Sequence, residues 1–201
     1  MKNIKLLVVA LLAVFTVSSC MDNNDVGPTG PTYEQEMKRR DSTLNAQKDD
    51  LEAYAKANFT NPQEDTTYGI WYEVINTPEK TYDYVKSGQG WVPVVAQLKY
   101  KGELMDKTVF DDEQTTTQFL IVNPSSTTGG VIPAWLIAFY PQSDNKSSIQ
   151  GLLKDGLQPG QKIRFITSSI WGYDNATGID KIPANSPLVF TLDVSSVKSQ
   201  Y

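Results

Sequence analysis

The chain has 201 residues, 40% of them hydrophobic and 10% aromatic, which suits one globular core with appendages rather than two full domains. It carries a formal net charge of −5, no histidine and a single cysteine. These counts exclude histidine-based triads, histidine metal sites, imidazole shuttles and any internal disulfide, and an acidic chain without a basic stripe argues against nucleic acid as a partner.

The chain opens MKNIKLLVVALLAVFTVSSC, with Lys2 and Lys5 ahead of an apolar run from Leu6 to Val17. That run is too short to span a bilayer comfortably, and its layout predicts a secretory signal over residues 1–19. Ser18 and Ser19 directly before Cys20 give a Val-Ser-Ser-Cys pattern that resembles a bacterial lipobox, which implies lipidation of Cys20 as the first residue of the mature chain. Cleavage there removes two lysines and no acid, so the formal charge falls from −5 to −7. Residues 20–32 continue as MDNNDVGPTGPT after the cysteine, a polar, proline-interrupted tether. Asp22 and Asp25 resemble the surface-export signal of Bacteroidetes-like lipoproteins, although two acids in a linker also read as plain solvation. The implied location is the bacterial outer membrane, lipid-anchored, either periplasmic or surface-exposed.

From Tyr33 to Asn58 the composition turns helical, and Met37, Leu44, Leu51 and Tyr54 mark one apolar stripe among charges. The stripe predicts an amphipathic helix, or a pair interrupted at Asp41-Ser42, within an extension over residues 33–60. Two uses of that face stay open: a homodimer or partner contact through residues 33–58, and packing on the chain's own domain.

A second pattern starts near residue 68 and runs to 201. Short β-rich runs, GIWYEVI, WVPVVAQLKYKGEL, TQFLIV, KIRFITS and SPLVFTLDVSSV, are each bounded by turn residues. In VAQLKYKG the alternation places Ala96, Leu98 and Tyr100 on one face and Val95, Gln97 and Lys99 on the other. Between the third and fourth runs, PAWLIAF predicts a helix with Pro133 in its first turn. The order predicts an α+β fold, an antiparallel sheet wrapped around one short helix, with an N-terminal helical extension.

Four segments within this region, in order, carry a resemblance. They are LKYKGELMDKTVFDD, then FLIV followed by GGVIPAW, then LQPGQKIRFITSSIWG, and finally KIPANSPLVFTLDV. Together they resemble the FKBP-type peptidyl-prolyl cis-trans isomerases, and AYAKANFT followed by TYGIWYEVI is similar to the extension found in lipoprotein members. The resemblance implies an FKBP-like domain over residues 68–201 that isomerises Xaa-Pro bonds in exported, folding chains, with proline-containing polypeptides as partners and no cofactor.

It also implies a site. Tyr100, Phe110, Asp111 and Trp135 would be the catalytic residues, with the indole of Trp135 as the floor of a proline pocket. Phe119, Val131, Ile132, Trp171, Ile182 and Phe190 would bind substrate, Ile132 through its backbone N–H and Ile182 from a flap above the pocket. Phe110 and Asp111 would be delivered by a bulged turn after the strand that carries Tyr100. Asp111, Asp112 and Glu113 lack a glycine-punctuated ligand loop and read as solvated charge, so no metal is expected.

The sequence departs from the family pattern in four places. Ala134 stands where a glycine usually precedes the tryptophan, and Thr117 stands where an aromatic is usual. Trp171 stands where the family usually has a hydroxyl-bearing tyrosine, with Tyr173 two residues later. FYPQSDNKSSIQGLLKDGLQ is longer than the usual helix end, and Pro141 must stop the helix near Tyr140. This insertion reads either as a partner-selecting segment at the pocket edge or as a tolerated surface loop. Loss of the tyrosine hydroxyl favours an alternative, a catalytically weak peptide-binding or chaperone lipoprotein. A third reading is a glycan or host-partner binder that stacks ligands on Trp71, Trp91 or Trp171.

Overall fold

The computed structural model describes residues 30–78, 81–88, 90–122, 129–142 and 149–200. The expected signal over 1–19, the anchor Cys20 and most of the tether lie outside those residues. Among the described residues no helix is long and apolar enough to cross a membrane.

Helix α1, Tyr33–Asn58, is one uninterrupted helix. Thr32 caps it: its hydroxyl accepts from the Gln35 amide while the Gln35 side chain accepts from the Thr32 amide. Glu34 and Glu36 in the first turn and Lys56 in the last suit the helix dipole. Asp41-Ser42 does not break it, because neither residue is needed as a cap once Thr32 supplies one. The predicted stripe divides in two. Leu51 and Tyr54 are buried with Ala55 and Phe59 against Ile166 and Val189, whereas Met37 stays 40% exposed. The apolar half of the helix therefore packs on its own domain.

Eight strands follow among the described residues: β1 Gln63–Asp65, β2 Ile70–Val74, β3 Lys86–Ser87, β4 Gly90–Trp91, β5 Val94–Leu104, β6 Val109–Ile121, β7 Lys162–Thr167 and β8 Leu188–Ser199. Six of them form one sheet in the order β1-β2-β7-β8-β5-β6, antiparallel throughout, while β3 and β4 pair separately. Helix α2, Pro133–Phe139, begins and ends where the sequence predicts, with Tyr140 as its C-cap ahead of Pro141. Alternation along β7 and β8 separates two cores. Phe165 and Phe190 join Trp135, Leu136 and Phe139 of α2 in the main cluster, whereas Ile166 and Val189 face α1.

Two predicted elements change. Pro93 divides the long run at 91–104, leaving Gly90–Trp91 with β3 and starting β5 at Val94. The segment expected as a bulged turn, Val109 to Thr116, is instead the first half of β6, paired with β5 through Gly102 and Asp111, and Tyr100 and Glu113. β6 lies at the sheet edge, where its acids and threonines remain in water, so it needs no hydrophobic alternation to be a strand. A register shift between Leu98 and Tyr100 supplies the irregularity expected of the turn.

Candidate active site

The main core is incomplete at one end. Trp135, 4% exposed on α2, is ringed by side chains from three strands: Tyr100 of β5 at 5.1 Å between ring centroids, Phe119 of β6 at 5.4 Å and Phe190 of β8 at 5.8 Å. Interplanar angles of 76°, 66° and 89° make these edge-to-face contacts, the arrangement that aromatic quadrupoles favour. Phe110 packs edge-on to Phe190 at 5.7 Å. Rings meeting at these angles leave a cavity of about 290 Å³, lined by these five aromatics and by Asp111, Gly130, Val131, Ile132 and Tyr173.

Backbone geometry brings each residue to the rim. Gly130, at φ +151°, carries the chain from β6 towards α2 in a conformation that side chains disfavour. The Val131 amide then donates to the Val122 carbonyl at 3.0 Å. Ile132 is the N-cap of α2, and its own N–H meets no acceptor among the described residues. On β5, Gly102 is required by Phe110: a Cβ there would lie 2.4 Å from the ring.

The polar groups are few. The Tyr100 hydroxyl donates to Asp111, and burial together with that bond raises the Tyr100 pKa above its ordinary value. Burial, with the charge of Asp111 second, also raises that of Tyr173. The indole N–H of Trp135 is buried with no partner among the described residues. No group of three or more acids, cysteines or histidines among the described residues is placed to hold a metal.

Eight of the ten predicted site residues thus converge on one cavity. Two do not. Trp171 turns away: its indole N–H donates to the Tyr68 carbonyl at 2.9 Å and its ring packs edge-on to Tyr68 at 5.1 Å. Tyr173 enters the cavity in its place and supplies a hydroxyl. Gly172 lies between the two aromatics, after a 3-10 turn at Ser169–Trp171, so successive rings leave on different sides. The presence of two aromatics spaced by a glycine was visible in the sequence; which one turns inward was not. Ile182 is buried in the main cluster and is absent from the cavity lining, so it supports the loop rather than covering the pocket.

The insertion is also placed differently from either expectation. Leu152 and Leu157 are fully buried, and their amides donate to Ile137 and Phe139 carbonyls at 3.0 and 2.9 Å, closing the end of α2. None of its described residues lines the cavity. Leu152 and Leu157 are part of the core.

Residues 93–195, slightly more than half of the chain, match the family model of FKBP-type peptidyl-prolyl cis-trans isomerases. Solved structures similar to this fold include a peptidyl-prolyl cis-trans isomerase from Pseudomonas syringae pv. tomato, 20% identical with a TM-score of 0.53, covering 87% of this chain and 100% of that one. FkpA from Escherichia coli is 22% identical with a TM-score of 0.50, covering 84% of this chain and 74% of that one. A search among curated proteins gave no match. The chain belongs to the FKBP-type peptidyl-prolyl cis-trans isomerase family, and isomerisation of Xaa-Pro peptide bonds is the activity of that class.

Proposed function

We propose that the aromatic cavity is a prolyl-peptide site and that the chain, anchored through a lipid on Cys20, isomerises Xaa-Pro bonds in exported polypeptides as they fold. The observation that carries this reading is the convergence of six rings on a cavity of about 290 Å³, small for a ligand pocket and suited to one ring with its adjoining amide.

Rotation about the Xaa-Pro bond is opposed by about 18–20 kcal/mol of lost amide conjugation, and in water it takes tens of seconds or more. The half-rotated amide is less dipolar than the planar one. A dry, ring-lined site therefore favours it relative to the ground state, and each ~1.4 kcal/mol of that preference is a tenfold rate gain. Trp135 serves as the floor and Tyr100, Phe110, Phe119, Val131 and Phe190 as walls. The Ile132 N–H and the Tyr173 hydroxyl donate to substrate carbonyls on either side of the bond. Asp111, held by Tyr100, completes the rim. No nucleophile and no titrating side chain is needed.

The placement of Tyr173 counts against the weakly catalytic alternative, which drew its support from a missing hydroxyl. The glycan reading loses its platforms too, since Trp91 stacks on Tyr140, Trp171 packs edge-on to Tyr68, and Trp71 packs beside the α1 cluster. With Leu51 and Tyr54 committed to the sheet, the proposal includes no homodimer through α1.

A protease-coupled assay of the full chain on a short Xaa-Pro peptide tests the enzyme. Catalysis is expected from the native chain and a severe loss from Phe110→Ala and Trp135→Phe; a native rate equal to buffer would refute it. The anchor is tested by fatty-acid labelling of the expressed chain, expected in the native protein and lost in Cys20→Ser; an unlabelled native chain removes the membrane partner and the outer-membrane location together.

A further inference from the structure

Tyr173 reaches the cavity from a segment, residues 168–185, that contains neither α-helix nor strand. Three residues of α1, Arg39, Arg40 and Gln47, hold it by polar contacts. Gln47 accepts from the Ser168 hydroxyl at 2.7 Å and the Ser169 amide at 3.0 Å, and donates to the Asn185 carbonyl at 2.8 Å. Arg40 donates to the Ile170 carbonyl at 2.9 Å, lies 5.3 Å from the Trp171 ring centroid and reaches one Asp174 carboxylate oxygen at a longer 3.4 Å. Arg39 sets both terminal nitrogens on the two carboxylate oxygens of Asp174, one of them at 3.1 Å.

Asp174 is the residue next to Tyr173, and it closes the segment. Its amide donates to the Ser169 carbonyl and its carbonyl accepts from the Asn185 amide, both at 2.7 Å. To do so it adopts φ +53°, a left-handed conformation that opposes a residue with a Cβ. Something must hold it there, and a two-pronged guanidinium–carboxylate contact fixes direction as well as distance. The apolar half of α1 already secures the helix to the sheet through Leu51, Tyr54, Ala55 and Phe59. Arg39 lies beyond that cluster, and its long-range partner is the neighbour of a cavity residue.

We infer that Arg39 is a positioning residue for the isomerase site: its grip on Asp174 keeps the Tyr173 hydroxyl over the cavity, so α1 governs substrate binding within its own chain. The inference rests on the prolyl-site reading for its effect on catalysis, but the placement of Tyr173 can be read without any substrate.

In the full chain labelled with 13C at its tyrosine rings, the Tyr173 signals, assigned by their loss in Tyr173→Phe, are expected to shift or broaden in Arg39→Ala. Asp174→Asn should do the same, and because asparagine tolerates the left-handed conformation it isolates the ion pair from the backbone and serves if Arg39→Ala fails to fold. Glu52→Ala, which removes the α1 partner of Lys56, should leave the signals in place. On an Xaa-Pro peptide, Arg39→Ala should lower kcat/KM about three- to tenfold. The double variant Arg39→Ala with Tyr173→Phe should be no slower than Tyr173→Phe alone. Unchanged Tyr173 signals in both single variants, or losses that multiply fully in the double variant, overturn the inference. A native chain without catalysis refutes the prolyl-site reading instead, and the ring signals then decide the role of Arg39 alone.

Discussion

Tyr100 donates its hydroxyl hydrogen to Asp111 across the β5–β6 ladder, at the mouth of the cavity. The bond joins the two strands that supply four of the cavity's side chains, and it ties the rim carboxylate to a ring that touches Trp135. Tyr100→Phe preserves the edge-to-face contacts with Trp135 and Phe119 while releasing Asp111. A charged hydrogen bond of this kind is worth about 1.5–3 kcal/mol, so kcat/KM is expected to fall by roughly one to two orders of magnitude, with little change in Tm because the hydroxyl–carboxylate pair lies on the exposed rim. An unchanged rate in the peptide assay would show that Asp111 needs no orientation by Tyr100.

Gly102 and Phe110 make a steric pair. A methyl group at position 102 would meet Phe110 ring atoms at 2.4 and 2.5 Å, so Gly102→Ala must push the ring out of the cavity wall or strain β5. The single variant should lose about 1–3 kcal/mol of stability in urea unfolding, and lose activity with it. Phe110→Ala removes the obstacle, so the double variant should be no less stable than Phe110→Ala alone. A double variant with summed destabilisation would locate the strain elsewhere.

The pH dependence follows from the pocket's chemistry. Tyr100 and Tyr173 are both raised above the ordinary tyrosine value of 10 by burial, and the chain has no histidine. A raised pKa keeps each hydroxyl protonated, and able to donate, throughout the neutral range. The profile of kcat/KM is therefore expected to be flat from about pH 6 to pH 9, with no bell shape. An inflection near pH 7 would reveal a proton carrier that this mechanism lacks.

Gly151 tests the assignment of the insertion to the core. A Cβ there would fall 1.6 Å from the Tyr140 carbonyl oxygen, so Gly151→Ala forces the backbone off the end of α2. The expected loss is about 3 kcal/mol, roughly 6–12 °C in Tm for a chain of this size. Activity per folded molecule should persist, since no described residue of the insertion lines the cavity. A variant of native stability would mean that the segment is the tolerated loop its polar composition suggests.

Much of this was legible in the residue pattern. Helix α2 was readable from Pro133 and the apolar run that Pro141 ends, and the inner face of β5 from the alternation of Ala96, Leu98 and Tyr100. Eight cavity residues were legible as a set because motif order carries information that no single tyrosine or tryptophan does. The first half of β6 was not, since an edge strand in water has no apolar period to read. Leu152 and Leu157 were obscured by the polar residues around them, although their burial is complete.

What the sequence determined by itself was local and additive: the bounds of α2 between Pro133 and Pro141, strand alternation, and the absence of every histidine-dependent chemistry. Tertiary structure alone decided that Tyr173 rather than Trp171 faces the cavity, and that Arg39 reaches the segment bearing it. Both depend on contacts between residues more than a hundred positions apart, such as Trp171 with Tyr68 and Arg39 with Asp174. The free energy of such a contact exists only once the sheet has brought its two partners together, so no periodicity along the chain can announce it.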